Sequence, residues 1–139
     1  MDDLQNTEFE ALGSRIFRIR LHGYFTPEEA LAVFHVLTEH VRDEPYFLLE
    51  VDMVDLTGAS PEARRISAEK LGPLPHRAIA IVSSNFAQRI VAKLVLTAVS
   101  ILEKTNRNTT SYFATSEEAQ VWLESKRGGL DAKTKASPV

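Results

Sequence analysis

Two short apolar runs, Tyr46 to Met53 (YFLLEVDM) and Arg77 to Ser83 (RAIAIVS), constrain this chain most. Each has strand length and almost no alternation, the pattern of a central strand covered on both faces. Each is also followed within a few residues by a helix-start signal. After the first comes Ala59-Ser60-Pro61-Glu62, with Ser60 as N-cap and Pro61 in the first turn; after the second, Ser84 or Asn85 caps a long apolar helix over 85–104. Strand, helix, strand, helix at this spacing predicts βα units with parallel strands and right-handed crossovers.

The flanks extend the pattern. Thr7 to Leu12 and Arg15 to Leu21 alternate around Gly13-Ser14 and predict a β-hairpin with one wet face, with Phe17 breaking the strict period and Gly23 ending the second strand. Thr26-Pro27-Glu28-Glu29 predicts a helix to about Arg42 through its capping box, stopped by Asp43-Glu44-Pro45. Gly72-Pro73 closes the helix that Ser60 opens. Thr110 to Ala114 predicts a fifth strand, and Thr115-Ser116-Glu117-Glu118 a last helix. The expected fold is therefore α/β: a single mixed, mainly parallel five-stranded sheet with four helices. It is expected as one domain over 7–127, followed by a disordered basic tail over 128–139.

Charge and composition exclude several functions. Residues 1–125 hold 12 Lys/Arg against 18 Asp/Glu, an acidic body that argues against nucleic acid as partner. The chain has no cysteine, so disulfides, thiolate catalysis and Cys-type metal sites are out. The acidic start, Met1-Asp2-Asp3-Leu4-Gln5-Asn6, is not a leader sequence, and no run of eighteen apolar residues occurs, which gives the expectation of a cytoplasmic protein without a transmembrane segment.

The Gly23-Tyr24-Phe25-Thr26-Pro27-Glu28-Glu29 segment, Leu48-Leu49-Glu50-Val51-Asp52, Ala78-Ile79-Ala80-Ile81-Val82 and the closing Tyr112-Phe113-Ala114-Thr115-Ser116-Glu117-Glu118-Ala119-Gln120-Val121-Trp122-Leu123 together resemble the SpoIIAA-like branch of the STAS superfamily. That superfamily includes bacterial anti-sigma-factor antagonists and is related in fold to the lipid-carrying CRAL-TRIO domain. The resemblance implies a signalling or protein-binding role without catalysis. It also implies a phospho-acceptor at the helix start after the third strand. The matching turn is Thr57-Gly58-Ala59-Ser60-Pro61, which makes Ser60 and Thr57 the candidates; the Asp-Ser-Ser-Gly motif of those acceptors is absent.

Other candidates come from the residues themselves. Arg64 and Arg65 lie in the first turn after Ser60, where two cations oppose the helix dipole and suggest a nearby anion or plain solvation. Asp52 and Asp55 flank a strand end where open sheets place ligands, but no glycine-rich phosphate loop accompanies them. His35 and His40 are five apart on a helix, too far around to share a metal; His22 and His76 lie near loops. Ser83-Ser84 lacks a nucleophile elbow. No catalytic constellation, metal set or cofactor motif emerges.

Within the helix 85–104, the stretch from Ile90 to Leu102 is apolar around about 240° once Lys93, Thr97 and Ser100 are set aside, well over the about 100° a surface helix needs. Val91, Leu94, Val95, Leu96, Val99 and Leu102 are therefore expected to be covered. The cover is the domain itself, a second copy, a regulatory partner or a lipophilic ligand.

Overall fold

A computed structural model describes residues 6–103 and 107–134. The readings made on residues 1–5, on Lys104 and on 135–139 lie outside the described residues. The elements run β1 (Glu8–Gly13), β2 (Ile16–Phe25), α1 (Pro27–Val41), β3 (Tyr46–Ala59), α2 (Pro61–Leu71), β4 (His76–Val82), α3 (Phe86–Leu102), β5 (Asn108–Phe113) and α4 (Ser116–Thr134). They form one five-stranded sheet in the order β1-β2-β3-β4-β5. β1 is antiparallel to β2, and the remaining pairs are parallel.

Because the strands lie in sequence order, each right-handed crossover steps the same way and puts its helix on the same face. Phe17, Ile19, Leu21, Phe47, Leu49, Ile79 and Ile81 form that face and pack with buried residues of α1, α2 and α3. The opposite face, with Leu48, Ala78, Ala80 and Val82, is covered by α4 through Ala119, Leu123 and Leu130. The period of β2 thus places Phe17 on the inner face with Ile19 and Leu21. The residue out of phase is Ile16, buried on the α4 side.

Two strands run further than their sequence suggests. Gly23 does not end β2: with φ at +67 it sits at a register shift, and the strand continues to Phe25. β3 continues past Met53 to Ala59, pairing Tyr24 with Gly58 and Phe25 with Ala59. A Cβ on Gly58 would lie 3.3 Å from the Tyr24 ring, so the close approach requires glycine or a shift of that ring.

The expectation of disorder from residue 128 is corrected over 128–134, where α4 continues through Gly128-Gly129. Glycine lowers helix stability by about 1 kcal/mol per residue against alanine. Burial of Leu130 in the α4-side core offsets this. Arg127 also anchors the segment, pairing with Glu124 and donating to the Ser14 carbonyl.

Candidate functional site

The four parallel strands end at one edge of the sheet, so four helices start there. Each start is capped by the residue the sequence offers. Thr26 Oγ1 accepts from the Glu29 amide, Ser60 Oγ from Ala63 at 2.9 Å, Asn85 Oδ1 from Gln88 at 2.9 Å and Thr115 Oγ1 from Glu118. The Glu29 carboxylate accepts from two hydroxyls, Thr7 at 2.7 Å and Thr26 at 3.4 Å.

The extended β3 carries the chain to the start of α2, and Gln88 fixes that extension to α3. Gln88 is buried; its Nε2 donates to the Val54 and Leu56 carbonyls, and its Oε1 accepts from the Ser84 amide and hydroxyl. Nothing in the local sequence marks Gln88 for this role, because the carbonyls it donates to lie more than thirty residues away. Thr57 is exposed on the extension, and Ser60 is half-buried at its end.

Arg64 and Arg65 do not act together. Arg65 is exposed and paired along its own helix with Glu62 and Glu69. Arg64 turns inward, and its Nε is buried without a hydrogen-bond partner. Asp52 is engaged by Arg20 and by the Val54 amide, whereas Asp55 pairs with His22, which also meets Glu8. Among the described residues no group of three or more His, Asp or Glu is placed to hold a metal ion. His35 is exposed; His40 lies against Phe9 and Phe17. Burial lowers the pKa of His76 from its ordinary value, with Lys133, Arg107 and Arg77 adding to the effect. Ser83 is buried with its hydroxyl unpartnered, and Ser84 is tied to Gln88.

The six apolar residues singled out on α3 divide. Val99 is fully buried, and Val91, Val95 and Leu96 pack against the core, so the domain itself covers them. Leu94 and Leu102 are exposed. With them stand Phe86 (68% exposed), Ile90 and Ile101 (78%). Phe86, Ile90, Leu94 and Ile101 recur at four, four and seven and form one stripe on the helix. Beside it, Leu94, Ala98, Ile101 and Leu102 line an open groove whose other wall is Pro61, Arg64, Arg65, Ala68 and Glu69 of α2.

Several solved structures share this fold. An uncharacterized protein of the DUF3478 family with a SpoIIAA-like fold, from Shewanella loihica PV-4, is 16% identical with a TM-score of 0.61, covering 84% of this chain and 91% of that one. The fold is SpoIIAA-like, of the STAS type. The anti-sigma factor antagonist SpoIIAA in its unphosphorylated form is 10% identical with a TM-score of 0.59, over 88% of this chain and 98% of that one. An anti-sigma factor antagonist from Mycobacterium paratuberculosis is 17% identical with a TM-score of 0.56, over 85% and 92%. No protein-family model and no curated protein sequence matches the chain. Among the described residues, no helix of this STAS-type fold is long and apolar enough to cross a membrane.

The cap at Ser60 makes a local prediction. Ser60→Ala leaves the Ala63 amide without its acceptor and is expected to cost about 1 kcal/mol. That corresponds to a thermal midpoint lower by about 2–4 °C. A calorimetric scan showing no shift would mean that water replaces the cap without loss.

Proposed function

We propose that this chain is a non-enzymatic regulatory module that acts by binding protein, and that its contact surface is the outer stripe of α3 with the adjoining first turns of α2. One observation carries the reading: Phe86, Ile90, Leu94, Ile101 and Leu102 stay exposed after the domain has buried all it can of α3. Contiguous exposed apolar surface on a soluble domain marks an interaction site. The likeness to two anti-sigma factor antagonists supports a regulatory protein as partner.

The occupant put forward is a second copy of the chain, packed α3 against α3, since one helix face can serve both halves of a two-fold interface. Leu94 lies mid-stripe. Leu94→Glu is expected to weaken the dimer by at least about tenfold, because a charge enters the desolvated centre of the contact. Sedimentation equilibrium across a concentration series reads this directly. A native chain that stays monomeric at every concentration would leave the stripe to a different regulatory protein.

Thr57 and Ser60 are the candidate phospho-acceptors of this surface. A phosphate on either would stand near the positive end of α2, within reach of a first turn that holds Arg64. Peptide mapping of protein from its native cells tests this; hydroxyls that are never modified would remove the switch.

A carrier of whole lipids is less well supported. The interior cavity between the sheet and α1–α3 measures about 90 Å³. Ligand pockets usually hold about 300–1,000 Å³.

A further inference from the structure

Arg64 is the one residue that lines both the interior cavity and the outer α2/α3 groove. On the inner side it meets an apolar space walled by Leu21, Met53, Ile81, Val91, Val95 and Leu96. Arg64 makes no ion pair with any described residue, although its helix neighbour Arg65 makes two. Its buried Nε has no hydrogen-bond partner. A guanidinium keeps its charge under all ordinary conditions, and a buried donor left unsatisfied is costly. A buried donor without an acceptor therefore stands between the cavity and the groove.

We infer that the cavity is a binding site for a small aliphatic carboxylate. Its head takes the Arg64 guanidinium and its tail enters the apolar space. Size sets the tail. A dry apolar cavity of about 150 Å³ holds a benzene ring, so 90 Å³ suits a tail of about three or four carbons. The carboxylate matches the planar donor fork of arginine, which a neutral head does not. The tail's space is separate from the α3 stripe, since Leu94 and Ile101 face the groove and do not line the cavity; Arg64 alone borders both.

The test is a titration of methyl-labelled full-length protein with sodium pentanoate, followed by carbon–proton correlation spectra. Pentanoate is expected to shift the Ile81, Val91, Val95 and Leu96 methyls saturably. Acetate, with no tail to bury, is expected to leave them in place. Pentan-1-ol is expected to bind at least about tenfold more weakly than pentanoate, because it lacks the charge-assisted contact. Arg64→Met should lose a similar factor while its methyl spectrum stays dispersed. Ala92→Leu, which adds bulk inside the cavity and leaves Arg64 untouched, should abolish binding if the tail enters there. Cavity methyls that do not respond to pentanoate would overturn the inference. So would equal affinity for pentanoate and pentanol, or a Met variant that binds as the native chain does. Leu94→Glu should bind pentanoate normally, so failure of the α3 interface and failure of this site are told apart.

Discussion

Glu50→Ala is expected to lower stability by about 3–5 kcal/mol, the cost of leaving a buried charge without its partner. A domain has only about 5–15 kcal/mol to lose. Glu50 stands in the middle of β3 on the α4 side, with its side chain fully shielded from solvent (0%). Arg18 Nε donates to it at 3.1 Å and Gln120 Nε2 at 2.6 Å. Ser116 Oγ lies 2.9 Å from both carboxylate oxygens, donates its proton to them and accepts from Arg18. This anion faces the first turn of α4, where the helix dipole favours negative charge. Removing it strands Arg18 with only the half-exposed Glu10 as counter-charge and releases both anchors of the helix start. Glu50→Leu combined with Arg18→Met should recover most of the loss, since replacing a buried pair by apolar groups is often neutral. Urea unfolding of Glu50→Ala and of the double variant measures this. A single-variant cost below about 1 kcal/mol would show that water replaces the pair.

Arg77→Ala is expected to cost a similar amount, about 3–5 kcal/mol, at the edge where the parallel strands begin. Arg77 is fully buried (0%) near the start of β4. Its Nε donates to Asn108 Oδ1, the first residue of β5, and its other nitrogens to the Leu74 and Pro75 carbonyls and to Glu103 just beyond α3. One side chain thus joins β4, β5, the turn after α2 and the end of α3. Burial pulls its pKa below the ordinary arginine value, and Glu103 opposes that. Truncation opens a cavity and leaves the buried Glu103 unpaired. Arg77→Lys should recover little, because an ammonium cannot reproduce the fork that reaches three directions. Thermal unfolding of the two variants checks this; a lysine variant as stable as the native chain would reduce the role of Arg77 to its charge.

The two clusters show what sequence reasoning could and could not reach. Thr26, Ser60, Asn85 and Thr115 were legible because a cap bonds within three residues of itself. The mixed sheet was legible because apolar runs and helix starts alternate at the right spacing. Glu50 was read only as part of an apolar run, since its partners lie 32, 66 and 70 residues away. The extension of β3 to Ala59 depends on the register shift at Gly23 in another strand. The surplus of apolar surface on α3 was countable from the sequence. Which half stays exposed depends on where α2 packs, so Val99 and Leu94 could not be separated beforehand. Arg64 and Arg65 looked alike for the same reason. From Gly128 onward the sequence has no periodic pattern and suggests disorder, whereas the tertiary contact of Leu130 holds 128–134 in the helix.

Hydrogen–deuterium exchange of the native chain at low and high protein concentration tests the interaction surface most directly. The account predicts slower exchange at high concentration in 86–102 and in the first turns of α2, with the exposed edge strand β1 unchanged. Protection that is independent of concentration, or that appears on β1 and not on α3, would contradict it.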